Sequence, residues 1–118
     1  MNYRLTRAAE ADVRRVLKQT GRLFGARQVS IYNAIMIRGA EMIASAPFRP
    51  ASVAREDVGK GLRSFHLAHV RKRRQSASHV IYYSIGRNFA GEEEIVIHGI
   101  VHEAMLPKRR LARALREL

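Results

Sequence analysis

Five histidines are the first candidates for chemistry in this chain. His98 and His102 stand at i,i+4 and His66 and His69 at i,i+3, spacings that on a helix would turn two imidazoles toward one metal ion. His98 and His102, however, fall where the β-branched run Ile95 to Val101 reads as a strand passing into a turn, so helical geometry does not apply, and Glu103 is the one carboxylate spaced to help. No metal is expected. No nucleophile-elbow glycine pattern surrounds Ser64, Ser76, Ser78 or Ser84, which leaves serine hydrolase chemistry without local support. Gly59 and Gly61 lead into a strand rather than a helix, so they form no phosphate-cradling loop. The absence of cysteine excludes disulfides, thiolate ligands and cysteine nucleophiles together. No cofactor is expected either.

Cations are the stronger signal. Lys and Arg number 22 against 10 Asp and Glu, for a net charge of +12 in 118 residues. An excess of this size points to anionic partners: nucleic acid, ribosome, a membrane surface or an acidic protein, among which charge alone does not choose. The densest run, Arg71-Lys72-Arg73-Arg74, sits in a turn between two strands, where it can grip phosphates or carboxylates or serve as a solvated hairpin tip. A second cluster, Lys108-Arg109-Arg110, makes a working basic surface the better reading. No apolar run is long enough to span a bilayer, and Glu10 and Asp12 interrupt the amino terminus where a signal peptide would be apolar, so a cytoplasmic protein without a membrane partner is expected.

The elements that must hold these residues are legible from periodicity. Tyr3 to Thr6 reads as a strand ending at a helix N-cap. Ala9, Val13, Val16 and Leu17 then form an amphipathic stripe, with Glu10 placed to pair with Arg14. Gly21 and Gly25 around Phe24 allow a turn, and a second helix runs from about Arg27 to Ser45 until Pro47 and Pro50 end it. That helix is apolar on two sides: Val29, Tyr32, Met36, Ala40 and Ile43 form one stripe, and Ile31, Ile35 and Met42 a second, which meets the partner helix, the C-terminal segment or another protein. Strands follow around Phe65 and Leu67, from Val80 to Ile85 and from Ile95 to Val101, separated by Arg71–Ser78 and Gly86–Gly91. Ile95, Val96 and Ile97 do not alternate, so the last strand is expected to be central and covered on both faces. The tail carries Leu111, Leu115 and Leu118 at helical spacing among cations. It is too short to stand alone in water and must dock. The expected fold is a single α+β domain over residues 1–118: a two-helix hairpin on a mainly antiparallel sheet of about four strands, with a short basic C-terminal helix.

In order and spacing, these residues resemble the RelE/ParE toxin superfamily. Tyr3-Arg4-Leu5-Thr6 with Ala8, Ala9 and Asp12 is similar to the opening strand and helix of ParE, and Phe24-Gly25 to its interhelix turn. Gly61-Leu62-Arg63-Ser64 resembles the start of its second strand, His79-Val80-Ile81-Tyr82-Tyr83 its His-x-Ile-Phe-Tyr strand, and Ile95-Val96-Ile97 through Val101-His102 its last strand. The chain departs from that pattern at Ser84 and Gly99, where arginine is common, and in the longer Arg71–Ser78 turn. RelE-type ribonucleases carry Tyr-Arg where this chain has Ser78-His79, which places the chain nearer the ParE branch.

That resemblance implies the toxin of a type II toxin–antitoxin system: a non-catalytic poison of DNA gyrase or of a gyrase–DNA complex, silenced by an acidic ParD-type antitoxin. The expected target surface comprises Arg63, Arg71, Lys72, Arg73, Arg74, His102, Met105, Lys108, Arg109 and Arg110. Ile31, Ile35 and Met42 are the expected antitoxin contacts. The alternative is a ribosome-dependent mRNA endonuclease, with Arg63 and His79 around the scissile phosphate.

Overall fold

The computed structural model describes residues 1–72 and 75–116. A first strand, β1 (Asn2–Leu5), leads into α1 (Arg7–Phe24) and α2 (Ala26–Ser45), followed by β2 (Val53–Ala54), β3 (Arg63–His66), a 3-10 turn (Leu67–His69), β4 (His79–Arg87), β5 (Glu93–His102) and α3 (Pro107–Arg116). The strands form one mixed sheet in the order β1-β5-β4-β3-β2. β1 runs parallel to β5, and every other pairing is antiparallel. The four strands expected from the sequence are present. The fifth, β2, is two residues on the edge and too short to carry a pattern.

Local chemistry sets the boundaries. Thr6 is the N-cap of α1, its hydroxyl accepting from the Ala9 amide. Gly25 breaks the hairpin at φ 89°, a left-handed conformation that glycine adopts without strain. Beyond α2 the irregular connection is tied down from the sheet: the buried Tyr83 hydroxyl donates to Pro47 O at 2.5 Å and contacts the Ser52 hydroxyl, while Arg63 Nε donates to Ser52 Oγ at 2.8 Å.

β5 is central and covered on both faces, as its lack of alternation predicts. On one face the helical hairpin packs on Phe65, Ile81, Tyr83, Ile95, Ile97 and Ile100. On the other, α3 lays Leu111 against Val58, Leu62, Tyr82 and Val101. Burying Leu111 to 2% exposure contributes about 1.5–3 kcal/mol, the docking that so short a helix requires.

The second helix corrects the sequence reading. Ile35 is 4% exposed, and Ile31 and Met42 are half-buried against the same core. Both stripes are consumed because α2 has the sheet on one side and α1 on another, so Ile31, Ile35 and Met42 form no outward stripe for an antitoxin. His66 ends β3, and Leu67 belongs to the 3-10 turn rather than to the strand.

A bulge in β5 organises the far face. Tyr82 pairs with Gly99 and Tyr83 with Ile97, leaving His98 as the extra residue. β1 has ended by this point: the Thr6 amide donates to Ile97 O at 3.0 Å, and the next free strand amide, Ile100 N, donates to Asp12 Oδ2 at 3.0 Å. Asp12 is also bonded to Arg15 at 2.7 Å and lies 3.8 Å from Arg110 of α3. Burial raises its carboxyl pKa, and the Ile100 amide and the two arginines oppose that rise.

The bare Cα of Gly99 is what lets α3 approach, since a Cβ there would collide with Leu111 Cδ2 and come within 3.2 Å of Asp12 Oδ2. Gly99→Ala is therefore expected to cost about 1–3 kcal/mol and to loosen α3. The checks are a lower melting temperature and faster tryptic cleavage at Lys108–Arg110; unchanged values in both would refute this account of the seat.

Candidate functional site

β3, β4 and β5 bring three histidines to one end of the sheet. His79 pairs directly with His102 across the ladder, and His66 pairs with Val80. The His79 and His102 rings meet edge to face at 5.3 Å between centroids. From α2, Tyr32 places its hydroxyl 2.5 Å from His79 Nδ1 and 3.3 Å from the Ser78 amide. Because the amide can only donate, Tyr32 accepts from Ser78, and the same hydroxyl shares a second hydrogen bond with His79 Nδ1. His66 is fixed in the same way: Nδ1 accepts from the Ala68 amide at 2.9 Å, so Nε2 donates to Glu103 Oε2 at 2.6 Å.

Burial is the main cause of an unusual His79. Desolvation, with a smaller push from facing His102 and His66 and a counter-pull from Glu103, lowers its pKa to about 4. The imidazole is neutral at pH 7. Burial also raises the Tyr32 phenol, while the His66 hydrogen bond lowers the Glu103 carboxyl.

Tyr32, His79 and His102 form the polar floor of a cleft of about 620 Å³ between the end of the helical hairpin and the end of the sheet. Val16, Leu23, Phe24 and Met105 supply its apolar walls, and Gln19, Thr20, Gln28, Ser76 and Ser78 complete the lining. Among the described residues no Asp, Glu, Lys or Arg lines it, and none form a metal-binding group of three or more His, Cys, Asp or Glu side chains. Such a cleft suits an uncharged or apolar guest. A neutral imidazole there can accept a proton, but among the described residues no lining cation is at hand to stabilise a phosphorane.

The other expected site residues are dispersed. Arg63 is opposite Tyr83 in the ladder, so roughly 13 Å of strand separates it from His79 at about 3.3 Å per residue. Its guanidinium is committed to Ser52 and lies 4.9 Å from the centroid of the Phe48 ring. The structure therefore does not bring Arg63 and His79 together. Arg71 and Lys72 leave the 3-10 turn at the histidine end, where the Lys72 amide donates to Gln75 Oε1 at 2.7 Å and Arg71 to Gln75 O at 3.3 Å. Arg73 and Arg74 lie outside the described residues. His102 and Met105 line the cleft, and Lys108, Arg109 and Arg110 are exposed at the start of α3.

His98 is not part of this cluster: it is fully buried in the bulge with Nε2 2.7 Å from Ser84 Oγ. Its pKa is lowered by burial first and by Arg4 second. Sequence reasoning missed Tyr32 as a site residue because it belongs to a core stripe. It also missed Leu23 and Phe24, whose signal was two large apolar residues side by side at the end of an amphipathic helix.

The His79 shift fixes a pH dependence. Between about pH 6.5 and 4 the unfolded chain binds a proton that the folded chain does not, so this contribution to stability is complete above pH 6.5 and is lost as pH falls toward 4. Melting temperatures from pH 7 to 4 should therefore drop more steeply for the wild type than for His79→Gln. Parallel curves would rule the linkage out.

Comparison with known proteins places this architecture. No curated protein matches the chain in sequence. Residues 3–107 match the family model described as the ParE toxin of the type II toxin–antitoxin system parDE, which takes in every strand, both long helices and the histidine cleft. On that match the chain belongs to the ParE toxin family, the toxin half of a type II toxin–antitoxin pair.

Proposed function

We propose that this toxin acts by binding DNA gyrase or a gyrase–DNA complex without catalysing a reaction, and that a ParD-type acidic antitoxin neutralises it. The observation that carries the reading is the separation of charge from chemistry. The lowered imidazole of His79 sits in a cleft with no lining cation among the described residues, while Arg71, Lys72, Lys108, Arg109 and Arg110 lie on the exposed surface. A set of exposed cations steers and holds an anionic partner. It does not assemble a cleavage centre.

The target surface in this reading comprises Arg71 and Lys72 with the adjoining Arg73 and Arg74, the cleft residues His102 and Met105, and the α3 cations Lys108, Arg109 and Arg110. Arg63 drops out of it, because its guanidinium holds the connection after α2 against the sheet. The mRNA endonuclease alternative keeps one point in its favour: Tyr32 is hydrogen-bonded to His79, and His79 meets His102 edge to face, in one cleft.

Two assays separate the readings. Titrated into purified gyrase, the protein is expected to inhibit supercoiling or to accumulate cleaved DNA, and in a translation extract to leave mRNA intact. Replacing Arg71, Lys72, Lys108 and Arg109 together by alanine should raise the inhibitory concentration about tenfold, on the basis of a few tenths of a kcal/mol for each exposed charge. Codon-positioned mRNA cuts with normal supercoiling, abolished by His79→Ala, would overturn the proposal in favour of the ribonuclease.

A further inference from the structure

The connection between α2 and β2 carries rings and guanidinium groups that the proposed function leaves unused. Phe48 is 68% exposed, and Arg63 covers one face of its ring, with the guanidinium carbon 4.9 Å from the centroid. Arg63 is itself held in place, because Nε donates to Ser52 Oγ at 2.8 Å and Nη2 to Ser52 O at 3.2 Å. The backbone under the ring is held as well: the Arg49 amide donates to Ala46 O at 3.2 Å, the Ser52 amide to Arg49 O at 2.8 Å, and the Tyr83 hydroxyl to Pro47 O. With one face backed by a fixed cation, the ring turns its other face to water. Phe48 is thus a preorganised flat platform.

A cation stands beside it. Arg49 lies over the ring of Phe65, 5.8 Å from its centroid, and Phe65 shares one face of β3 with Arg63, about 7 Å along the strand at roughly 3.3 Å per residue. The Phe65 ring is fully buried, so of the two rings Phe48 alone offers a free face. Arg49 Nη1 is buried and has no hydrogen-bond partner among the described residues, and neither Arg49 nor Arg63 is in an ion pair there. Arg55, over Tyr82, differs: its guanidinium is committed to Asp57 at 3.0 Å. A guanidinium donor without an acceptor is costly, and an anionic oxygen relieves it.

We infer that Phe48 and Arg49 form a contact site for single-stranded DNA, one unpaired base stacking on the free face of Phe48 and the adjoining phosphate pairing with Arg49. Arg63 positions the ring and touches no DNA. An exposed ring beside a cation suits a single strand, because every base has a π-face and every link an anionic phosphate, and the +12 net charge draws such a polyanion in. A duplex is the poorer occupant, since its bases are stacked on one another. An acidic peptide can pair with Arg49 but leaves the platform unused. RNA gains nothing over DNA, because Ser52 Oγ, Ser52 O and Pro47 O, the polar groups around the ring, are already engaged and none is left to read a 2′-hydroxyl. The inference rests on the gyrase–DNA reading for its role, the holding of a strand that the enzyme has opened; the binding itself is independent of gyrase.

The test is titration of a single-stranded oligodeoxynucleotide containing 2-aminopurine with the full chain, followed by fluorescence intensity and anisotropy in the absence of gyrase. Stacking on Phe48 is expected to quench the 2-aminopurine. Phe48→Leu removes the flat ring and keeps the charge; it should bind the single strand about tenfold more weakly, the size of one base–ring stack, and a duplex of the same sequence as the wild type does. Arg49→Gln should make the fall of log affinity with log salt less steep by about 0.7, one phosphate contact. Phe89→Leu, at the fully exposed tip between β4 and β5, should change neither. Wild-type binding without quenching, or unchanged single-strand affinity in folded Phe48→Leu, overturns the inference, and an RNA strand bound about tenfold more tightly than DNA overturns the assignment to DNA. Should Phe48→Leu fail to fold, the wild-type quench decides alone. Gyrase inhibition without oligonucleotide binding defeats this inference and leaves the target reading standing; Phe48-dependent binding with normal supercoiling does the reverse.

Discussion

Everything in this fold depends on completing the hydrogen bonds of β5 where its neighbour stops. β5 is ten residues long and buried along most of its length, whereas β1 is four residues and pairs only with its first half. A buried amide left without an acceptor costs about 1–3 kcal/mol, so the free edge of β5 must be closed by something other than a strand. Thr6 and Asp12, one at the cap of α1 and one in its second turn, close it with a backbone amide and a carboxylate. The same contacts fix how α1 sits on the sheet, and through the hairpin how α2 delivers Tyr32 to His79. The half-buried carboxylate is in turn attended by Arg15 and by Arg110 of α3. One aspartate thus joins the first helix, the central strand and the last helix.

Much of this was legible beforehand, and the reasons are local. Thr6 as a cap, glycine at the hairpin and the prolines after α2 are statements about backbone conformation that hold in any context. The non-alternating Ile95-Val96-Ile97 reported a strand covered twice, and the short leucine-spaced tail reported its own need for a dock. What escaped was chemistry made by contacts distant in sequence. Asp12 reads as an exposed helix acid until β5 is seen to lack a partner at Ile100. Arg63 reads as a free cation near the sheet until Ser52 and Phe48 are seen to occupy it. Ile31, Ile35 and Met42 read as surplus apolar surface because periodicity cannot count how many neighbours a helix will have. The family resemblance carried further than composition did, because it encodes those distant contacts indirectly.

The two positions at which the sequence departs from the expected arginines, Ser84 and Gly99, have a shared physical reading. Both lie beside the bulge. Ser84 bonds to the buried His98, and Gly99 opens the space that Leu111 fills. An arginine at Gly99 would project into the seat of α3. In this chain a docked helix occupies that face of the sheet, and the helix carries Lys108, Arg109 and Arg110 on its exposed side. Cationic character is thereby moved from the strand to the helix that covers it.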